Sequence, residues 1–213
     1  MRNPFGQLLD NAAIFRYHRQ RIRAHGTNDP RSLGWARTES QLIRFRVLAQ
    51  IGDLAHRSVL DAGCGYADLY PFLRQHYAGV QYHGIEQIPE MLAVARDRYP
   101  DAPGLTLSGG DFLRTPLPPA DYVLASGALN YRHRDPQFVY RALEKLYSSC
   151  RVGLGFNLLD WEPADGGPLA AHDPAQVLAF CQRLGTRAEL RQGYLEGDFT
   201  VFVYRQAAFS GNC

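Results

Sequence analysis

From residue 58 onward the chain alternates short apolar, β-branched runs with segments whose apolar positions recur at helical spacing. "SVLDAG" (58–63) reads as a first strand, and 67–77 as a helix turning Leu69, Phe72, Leu73 and Tyr77 inward. "VQYHGIE" (80–86) is a second strand, followed by a helix over 88–98 with Ile88, Leu92 and Ala95 on its buried side. "LTLSGGD" (105–111) is a third strand, and "DYVLASG" (121–127) a fourth, apolar enough for burial on both faces. Asp135-Pro136 reads as N-cap and first residue of a helix carrying Val139, Leu143 and Leu146. "CRVGLGFNLL" (150–159) is a fifth strand. Asp173-Pro174 repeats the capping device before Val177, Cys181 and Leu184, with Gly185 as a C′ stop. "RAELRQ" (187–192) and "DFTVFVYR" (198–205), joined by a short Gly-containing link, predict a terminal antiparallel hairpin at one sheet edge. This alternation predicts an α/β fold, a doubly wound, mostly parallel sheet.

The first 57 residues follow another pattern. Residues 7–24 read as a helix with Leu8, Ala12, Phe15 and Ile22 along one side and Arg16, Arg19 and Arg23 along another. "HGTNDPRSLGW" (25–35) breaks it, and "TESQ" (38–41) fits a capping box with Thr38 as N-cap and Gln41 reaching back. Ile43, Val47, Ile51 and Leu54 form the stripe of that second helix. The expected organisation is a helical segment over 1–57, an α/β domain over 58–205 and a frayed tail over 206–213.

Bulk composition narrows the partners. Lys plus Arg total 23 against 21 Asp plus Glu, a net charge of +2, which does not advertise nucleic acid. No apolar run approaches a membrane span and the N-terminus lacks a signal-peptide core, so the expected compartment is the reducing cytoplasm. None of the four cysteines has C-x-x-C spacing, and no zinc site is expected.

The chemistry begins at "VLDAGCGYADLYPFL" (59–73), where a strand ends in an acid and two glycines one residue apart. A dinucleotide fingerprint would place a third glycine where this chain has Asp68, and an acid there repels a pyrophosphate. A nucleoside cofactor without phosphate fits better. Glu86, ending the second strand, can accept both ribose hydroxyls. Asp111 can accept from an exocyclic amine, with Phe112 against one ring face and Ile88 over the other. Each acid taken singly also reads as a loop residue or helix cap.

"VLDAGCGYADL", "YHGIEQIPEML", "GGDF" and "DYVLASGALNY" resemble the successive motifs of class I S-adenosylmethionine-dependent methyltransferases, over roughly residues 58–204. The resemblance implies a Rossmann-like sheet of seven strands with the last antiparallel. It implies that Asp61, Gly63, Cys64 and Gly65 surround the methionine part of the cofactor. Glu86, with Gln87 beside it, would bind the ribose; Ile88, Asp111 and Phe112 the adenine. Ser126 would line the cofactor beside the methyl group. "HGTNDPRSLGWARTESQLIRF" (25–45) is similar to the same region in a group of bacterial methyltransferases, which implies a lid or substrate-recognition element.

The acceptor region should follow the fourth strand, in "SGALNYRHRD" (126–135). It lacks the Pro-Pro of enzymes that methylate adenine or glutamine amides. Asn130 and Tyr131 can orient a substrate or merely form a capping turn. Tyr131, His133 and His172 are candidate catalytic groups, the histidines as general bases because imidazole titrates near neutral pH; the bland alternative is surface loop histidines, as for His25. Tyr17, His18 and the arginine stripe can meet an acidic substrate or form a solvated basic face. Trp35 and Trp161 can wall the site or plug the core, and "LDWEPADGGPLAAH" (159–172) reads as a lid. The leading expectation is methyl transfer from S-adenosylmethionine to a small molecule, with no metal needed. The alternatives are an RNA or protein methyltransferase with a basic cleft around Arg132, Arg134 and the N-terminal arginines, a non-catalytic cofactor-binding protein, and last a hydride-transfer enzyme. Neither the acceptor atom nor the oligomeric state is encoded in these motifs.

Overall fold

The structure, a computed structural model, describes residues 4–27, 29–34, 38–161 and 167–205. The strands are β1 (Ser58–Ala62), β2 (Gln81–Glu86), β3 (Leu105–Gly109), β4 (Ala120–Ala125), β5 (Cys150–Leu159), β6 (Arg187–Arg191) and β7 (Asp198–Tyr204). The helices are α1 (Pro4–His25), α2 (Thr38–Leu48), α3 (Leu69–His76), α4 (Pro89–Arg98), α5 (Phe138–Ser149) and α6 (Pro174–Leu184). They build one seven-stranded sheet in the order β3-β2-β1-β4-β5-β7-β6. β1 through β5 pair in parallel, whereas β7 runs antiparallel to both β5 and β6.

The terminal hairpin therefore forms, but its antiparallel strand is inserted between β5 and β6 instead of lying at the edge. Burial explains the order. Six of the seven β7 residues are buried, so this strand needs neighbours on both sides, while β6 opens and closes on exposed arginines. The two-residue alternation divides the core by face. Leu60, Val123, Phe156 and Val201 pack on the side of α5 and α6, and Val59, Leu124 and Phe202 on the side of α2 and α3. Cys150 and Cys181 belong to the first of these clusters as small apolar groups.

Several local expectations shift. The second helix ends at Leu48 and tightens into a 3-10 turn, Ala49–Ile51, so Leu54 is buried from a loop instead of from the helix. Gln41 does not close a capping box, because its amide donates to Asp68 Oδ2 at 3.2 Å; the Thr38 side chain lies outside the described residues. Asp173 caps α6 as anticipated, accepting from the N–H groups of Ala175 and Gln176. Asp135 instead sits a step early: it accepts the Gln137 N–H at 2.9 Å in a turn, and α5 starts at Phe138. Gly185 follows α6 in an extended backbone, where a β-carbon would stand 2.5 Å from Val203 Cγ1; space, not a left-handed turn, calls for glycine. Among the described residues no helix is long and apolar enough to cross a membrane. The tail 206–213 lies outside the described residues.

α1 lies over the carboxyl ends of the strands, where Ile14 packs with Tyr66, Ile88 and Met91. Its inward face matches the apolar stripe expected from the sequence only in part: Phe15 and Ile22 pack against this cluster, but Leu8 and Ala12 are exposed, while Ile14 and His18 are buried.

Candidate active site

The β1–α3 turn is shaped by two left-handed glycines, Gly63 (φ +78°) and Gly65 (φ +57°). At Gly63 a β-carbon would come within 2.4 Å of the Ala128 β-carbon, so the loops after β1 and β4 can meet only over a glycine. The N–H groups of Gly63 and Cys64 both point at the Ile85 carbonyl, at 2.8 and 3.1 Å, which fixes the turn to the end of β2. Glu86 then folds back across the gap. Its Oε2 accepts the Gly65 N–H at 2.8 Å and its Oε1 the Ile88 N–H at 2.7 Å. Burial pushes this carboxyl's pKa up, against the opposing pull of those backbone donors.

Asp61 stands beside it at the end of β1, only 2% exposed. Tyr82 donates its hydroxyl to Oδ2, while Oδ1 is buried with no partner. Burial first, and then the neighbouring Glu86 charge, raise the Asp61 pKa to about 7, opposed by the Tyr82 hydrogen bond. A buried acceptor left unpaired is costly, so Asp61 Oδ1 marks a place where a ligand donor is missing.

These groups open into a cavity of about 670 Å3 between the strand ends and α1, within the size range of small-molecule sites. Asp61, Gly63, Cys64 and Gly65 line it from the β1 turn, and Glu86, Gln87 and Ile88 from the β2 turn. Phe112 and Ser126 line it from the loops after β3 and β4. Ser126 Oγ donates to Asn157 Oδ1 at 3.3 Å; Asn157 in turn donates to Thr200 Oγ1 at 2.5 Å, so the hydroxyl is held from the sheet. Asn130 and Tyr131 extend the wall, and the Asn130 side-chain oxygen Oδ1 accepts the Leu159 N–H at 3.2 Å. Trp161, 49% exposed, closes the rim, while Trp35 lies outside the described residues.

Three expected residues are placed elsewhere. Asp111 is not on the cavity wall; Oδ2 accepts from Gln7 (3.4 Å) and Asn11 (3.3 Å), so it ties α1 to the β3 loop. His133 stacks on Phe138 with ring centroids 3.3 Å apart, and its Nδ1 lies 3.5 Å from Asp10 Oδ2. His172 is likewise off the wall, with Nε2 buried and unpartnered. Burial lowers the pKa of both imidazoles. Asp68 does line the cavity, but Arg98 pairs with it at 2.9 Å, so its charge is matched and repels a phosphate less than the bare sequence implies.

On the opposite wall, Tyr17 and His18 were expected to meet an acidic substrate or form a solvated basic face, whereas Ile14 and Arg21 were not singled out. Ile14, Tyr17, His18 and Arg21 face the cavity at i, i+3, i+4 and i+7. His18 is only 4% exposed, and burial lowers its pKa to about 4. Its Nε2 lies 2.5 Å from the Tyr131 hydroxyl and its Nδ1 3.5 Å from the Ser32 carbonyl. Arg19, on the outer side, pairs with Glu90 at 2.5 Å. Arg44 of α2 also reaches the cavity and pairs with the buried Asp198. The helical spacing of 14, 17, 18 and 21 was the available signal, masked because three of the four residues are polar. Among the described residues no cluster of His, Cys, Asp or Glu is placed to hold a metal ion.

Comparison with known proteins agrees with this geometry. A family model described as a methyltransferase domain matches residues 59–153. Trans-aconitate 2-methyltransferase of Mycobacterium sp. (strain KMS) is 33% identical over 98 residues, 46% of this chain and 37% of that protein. The chain thus spans little more than a third of the length of that relative. Rv1506c of Mycobacterium tuberculosis (strain ATCC 25618 / H37Rv) is 29% identical over 157 residues, 68% of this chain and 92% of the relative. In fold the chain is similar to human N-acetylserotonin methyltransferase in complex with S-adenosylmethionine, with a TM-score of 0.67 at 18% identity, covering 91% of this chain and 58% of that one. It is also similar to the magnesium protoporphyrin IX methyltransferase of Synechocystis PCC 6803, at a TM-score of 0.61 and 19% identity, over 78% and 80% of the two chains. With its glycine turn, its strand-end acids and a seven-stranded sheet of order β3-β2-β1-β4-β5-β7-β6, the chain is similar in fold to S-adenosylmethionine-dependent methyltransferases and matches a methyltransferase domain in sequence over residues 59–153.

Proposed function

We propose that the protein transfers a methyl group from S-adenosylmethionine to a small-molecule acceptor. The observation that carries this reading is the unpartnered Asp61 Oδ1, buried beside Glu86 at the end of a cavity of about 670 Å3. The donor set suits a nucleoside bearing an amino acid: two carboxylates for ammonium and ribose donors, glycine backbone for close approach, and Ile88 and Phe112 for a flat ring. Asp61, Gly63, Cys64 and Gly65 would hold the methionine part, Glu86 and Gln87 the ribose, and Ile88 and Phe112 the adenine. Asp111 acts here through α1, positioning the wall instead of touching the ring. When bound, S-adenosylmethionine supplies a methyl group already activated by its sulfonium.

The chain's own task is then to orient an acceptor and keep water out. We take residues 1–57 as the lid and recognition segment, supported by the α1 stripe that roofs the cavity. Asn130, Tyr131 and Trp161 border the acceptor space. An RNA or protein acceptor loses support because two of the basic residues that would receive it are engaged: Arg132 donates to the Leu169 carbonyl at 3.3 Å, and Arg134 pairs with Asp10 at 2.9 Å. Placement in the reducing cytoplasm is supported by three buried free thiols, Cys64, Cys150 and Cys181. The reading is tested by incubating the protein with methyl-labelled S-adenosylmethionine and separated small-metabolite, RNA and protein fractions. Label confined to the small-metabolite fraction is expected; label in RNA or protein would overturn the acceptor class.

A further inference from the structure

His18 and Tyr131 are 113 residues apart in the chain, yet on the cavity wall Nε2 lies 2.5 Å from the phenolic oxygen. The surroundings decide which atom donates. His18 Nδ1 faces the Ser32 carbonyl, a group that can only accept, so Nδ1 carries the ring proton and Nε2 presents its lone pair. Ser32 is fixed for this purpose: it is fully buried, its N–H and Oγ both bond the Asp29 carbonyl at 2.9 and 2.7 Å, and its Oγ lies 3.0 Å from the Tyr66 hydroxyl. Tyr131 must therefore donate its only proton to His18. Its oxygen is left with lone pairs alone, on the wall of a cavity whose floor is Glu86. A ligand group meeting that oxygen has to bring a proton of its own.

We propose that Tyr131 and His18 form a proton relay that selects a hydroxyl group as the methyl acceptor, with Tyr131 the catalytic residue and His18 the residue that positions it and takes its proton. The inference rests on the methyltransferase reading above. In balance, the acceptor oxygen bonds the methyl carbon while the sulfonium keeps the electron pair of the broken bond. The hydroxyl proton passes to Tyr131 Oη, the Tyr131 proton passes to His18 Nε2, and the imidazolium releases it to solvent after the product leaves.

The electrostatics favour this acceptor over others. Burial and the nearby Arg21 keep His18 neutral at physiological pH, so its lone pair stays available. Burial, with Tyr17 and Glu86 nearby, pushes the Tyr131 pKa upward, so the phenol shuttles a proton without resting as phenolate. A hydroxyl that has received a methyl group is an oxonium, a far stronger acid than this imidazolium, so the proton runs downhill. A methylated amine is a weaker acid and would keep its proton. A carboxylate brings no proton and would set its charge against the lone pairs of Tyr131.

The test combines a spectroscopic and a chemical readout. Nitrogen NMR of His18 in the wild-type protein should show Nδ1 protonated and Nε2 bare from pH 6 to 8, and Tyr131→Phe should shift Nε2 toward a free imidazole. An Nε2-protonated ring, or titration near the ordinary value, would overturn the relay. Products made with methyl-labelled S-adenosylmethionine from a small-metabolite extract should be alkali-stable ethers; alkali-labile methyl esters or N-methyl amines would overturn the acceptor class. His18→Gln keeps a hydrogen-bond acceptor for Tyr131 but cannot take its proton. It should lower kcat by about 10²- to 10⁴-fold while leaving the affinity for S-adenosylhomocysteine within about twofold. Wild-type kcat in that variant would reduce His18 to a packing residue. Failure of the underlying reading would appear separately, as no saturable binding of S-adenosylmethionine by the wild-type chain, and would take the relay with it.

Discussion

On the strand-end wall of the cavity, backbone does most of the holding: the Ile85 carbonyl fixes the glycine turn, and the Gly65 and Ile88 N–H groups fix Glu86. On the α1 wall, side chains do it. Asp10 reaches Arg134, Gln7 and Asn11 reach Asp111, and His18 reaches Tyr131. The first wall follows from the register of neighbouring strands and tolerates little change. The second is a separate helix stitched on by long-range polar contacts, and those contacts can vary without disturbing the sheet. On the proposed reading, the strand-end wall would hold the cofactor and the α1 wall would help set the acceptor.

Substitutions on the two walls should separate accordingly. The largest effect is expected where the α1 roof meets the loop after β4, in turnover alone: Tyr131→Phe should lower kcat by about 10²- to 10⁴-fold with cofactor affinity retained. On the floor the pattern reverses. Glu86→Ala removes the acceptor for two backbone N–H groups and the proposed ribose ligand together. Calorimetry should show S-adenosylmethionine binding weakened by about 10- to 100-fold, in line with the loss of hydrogen bonds to a charged group. Equal losses of kcat and affinity in both variants would erase the distinction.

The walls should also differ in the sign of their pH dependence. The Asp61 pKa rises from 3.8 to about 7 on folding, so its contribution to stability is present below pH 3.8 and lost as pH rises through 7. The His18 pKa falls from 6.5 to about 4, so its contribution is present above pH 6.5 and lost as pH falls through 4. Relative to wild type, Asp61→Asn should gain stability as pH rises across the first window, by up to about 4 kcal/mol. Relative to wild type, His18→Gln should gain as pH falls across the second, by up to about 3 kcal/mol. Urea denaturation of the three proteins without ligand from pH 4 to 7.5 reads both slopes, and parallel slopes would contradict the assignment. The smallest effect belongs to His172, which is off the cavity wall: His172→Ala should change kcat/KM by no more than about twofold, the scale of substitutions away from specific features.

How much of this was legible in the sequence follows the same division. Gly63, Gly65, Asp61 and Glu86 declare themselves because strand ends, turns and glycines are local features, and parallel strands bring their carboxyl ends to one edge. The placement of β7 inside the sheet was half legible. "DFTVFVY" is too apolar for an edge, yet hairpin connectivity alone says only that it pairs with β6. His18 was legible only as one member of a basic face, and not as a buried wall residue, because helical periodicity sorts residues by polarity and a cavity wall inverts that sorting. Its partner Tyr131 is too far along the chain for any window to join them. Asp111 was misleading for the converse reason: it stands at the expected strand end, but Gln7 and Asn11 claim its carboxylate from a helix that no local motif connects to it.

The most direct measurement is calorimetric titration of the wild-type protein with S-adenosylmethionine, S-adenosylhomocysteine and NAD in parallel. A cavity whose unpaired Asp61 oxygen and backbone-held Glu86 await a nucleoside bearing an amino acid should bind the first two saturably, at one per chain, and not the third. Saturable binding of NAD with none of S-adenosylmethionine would contradict the assignment of this cavity.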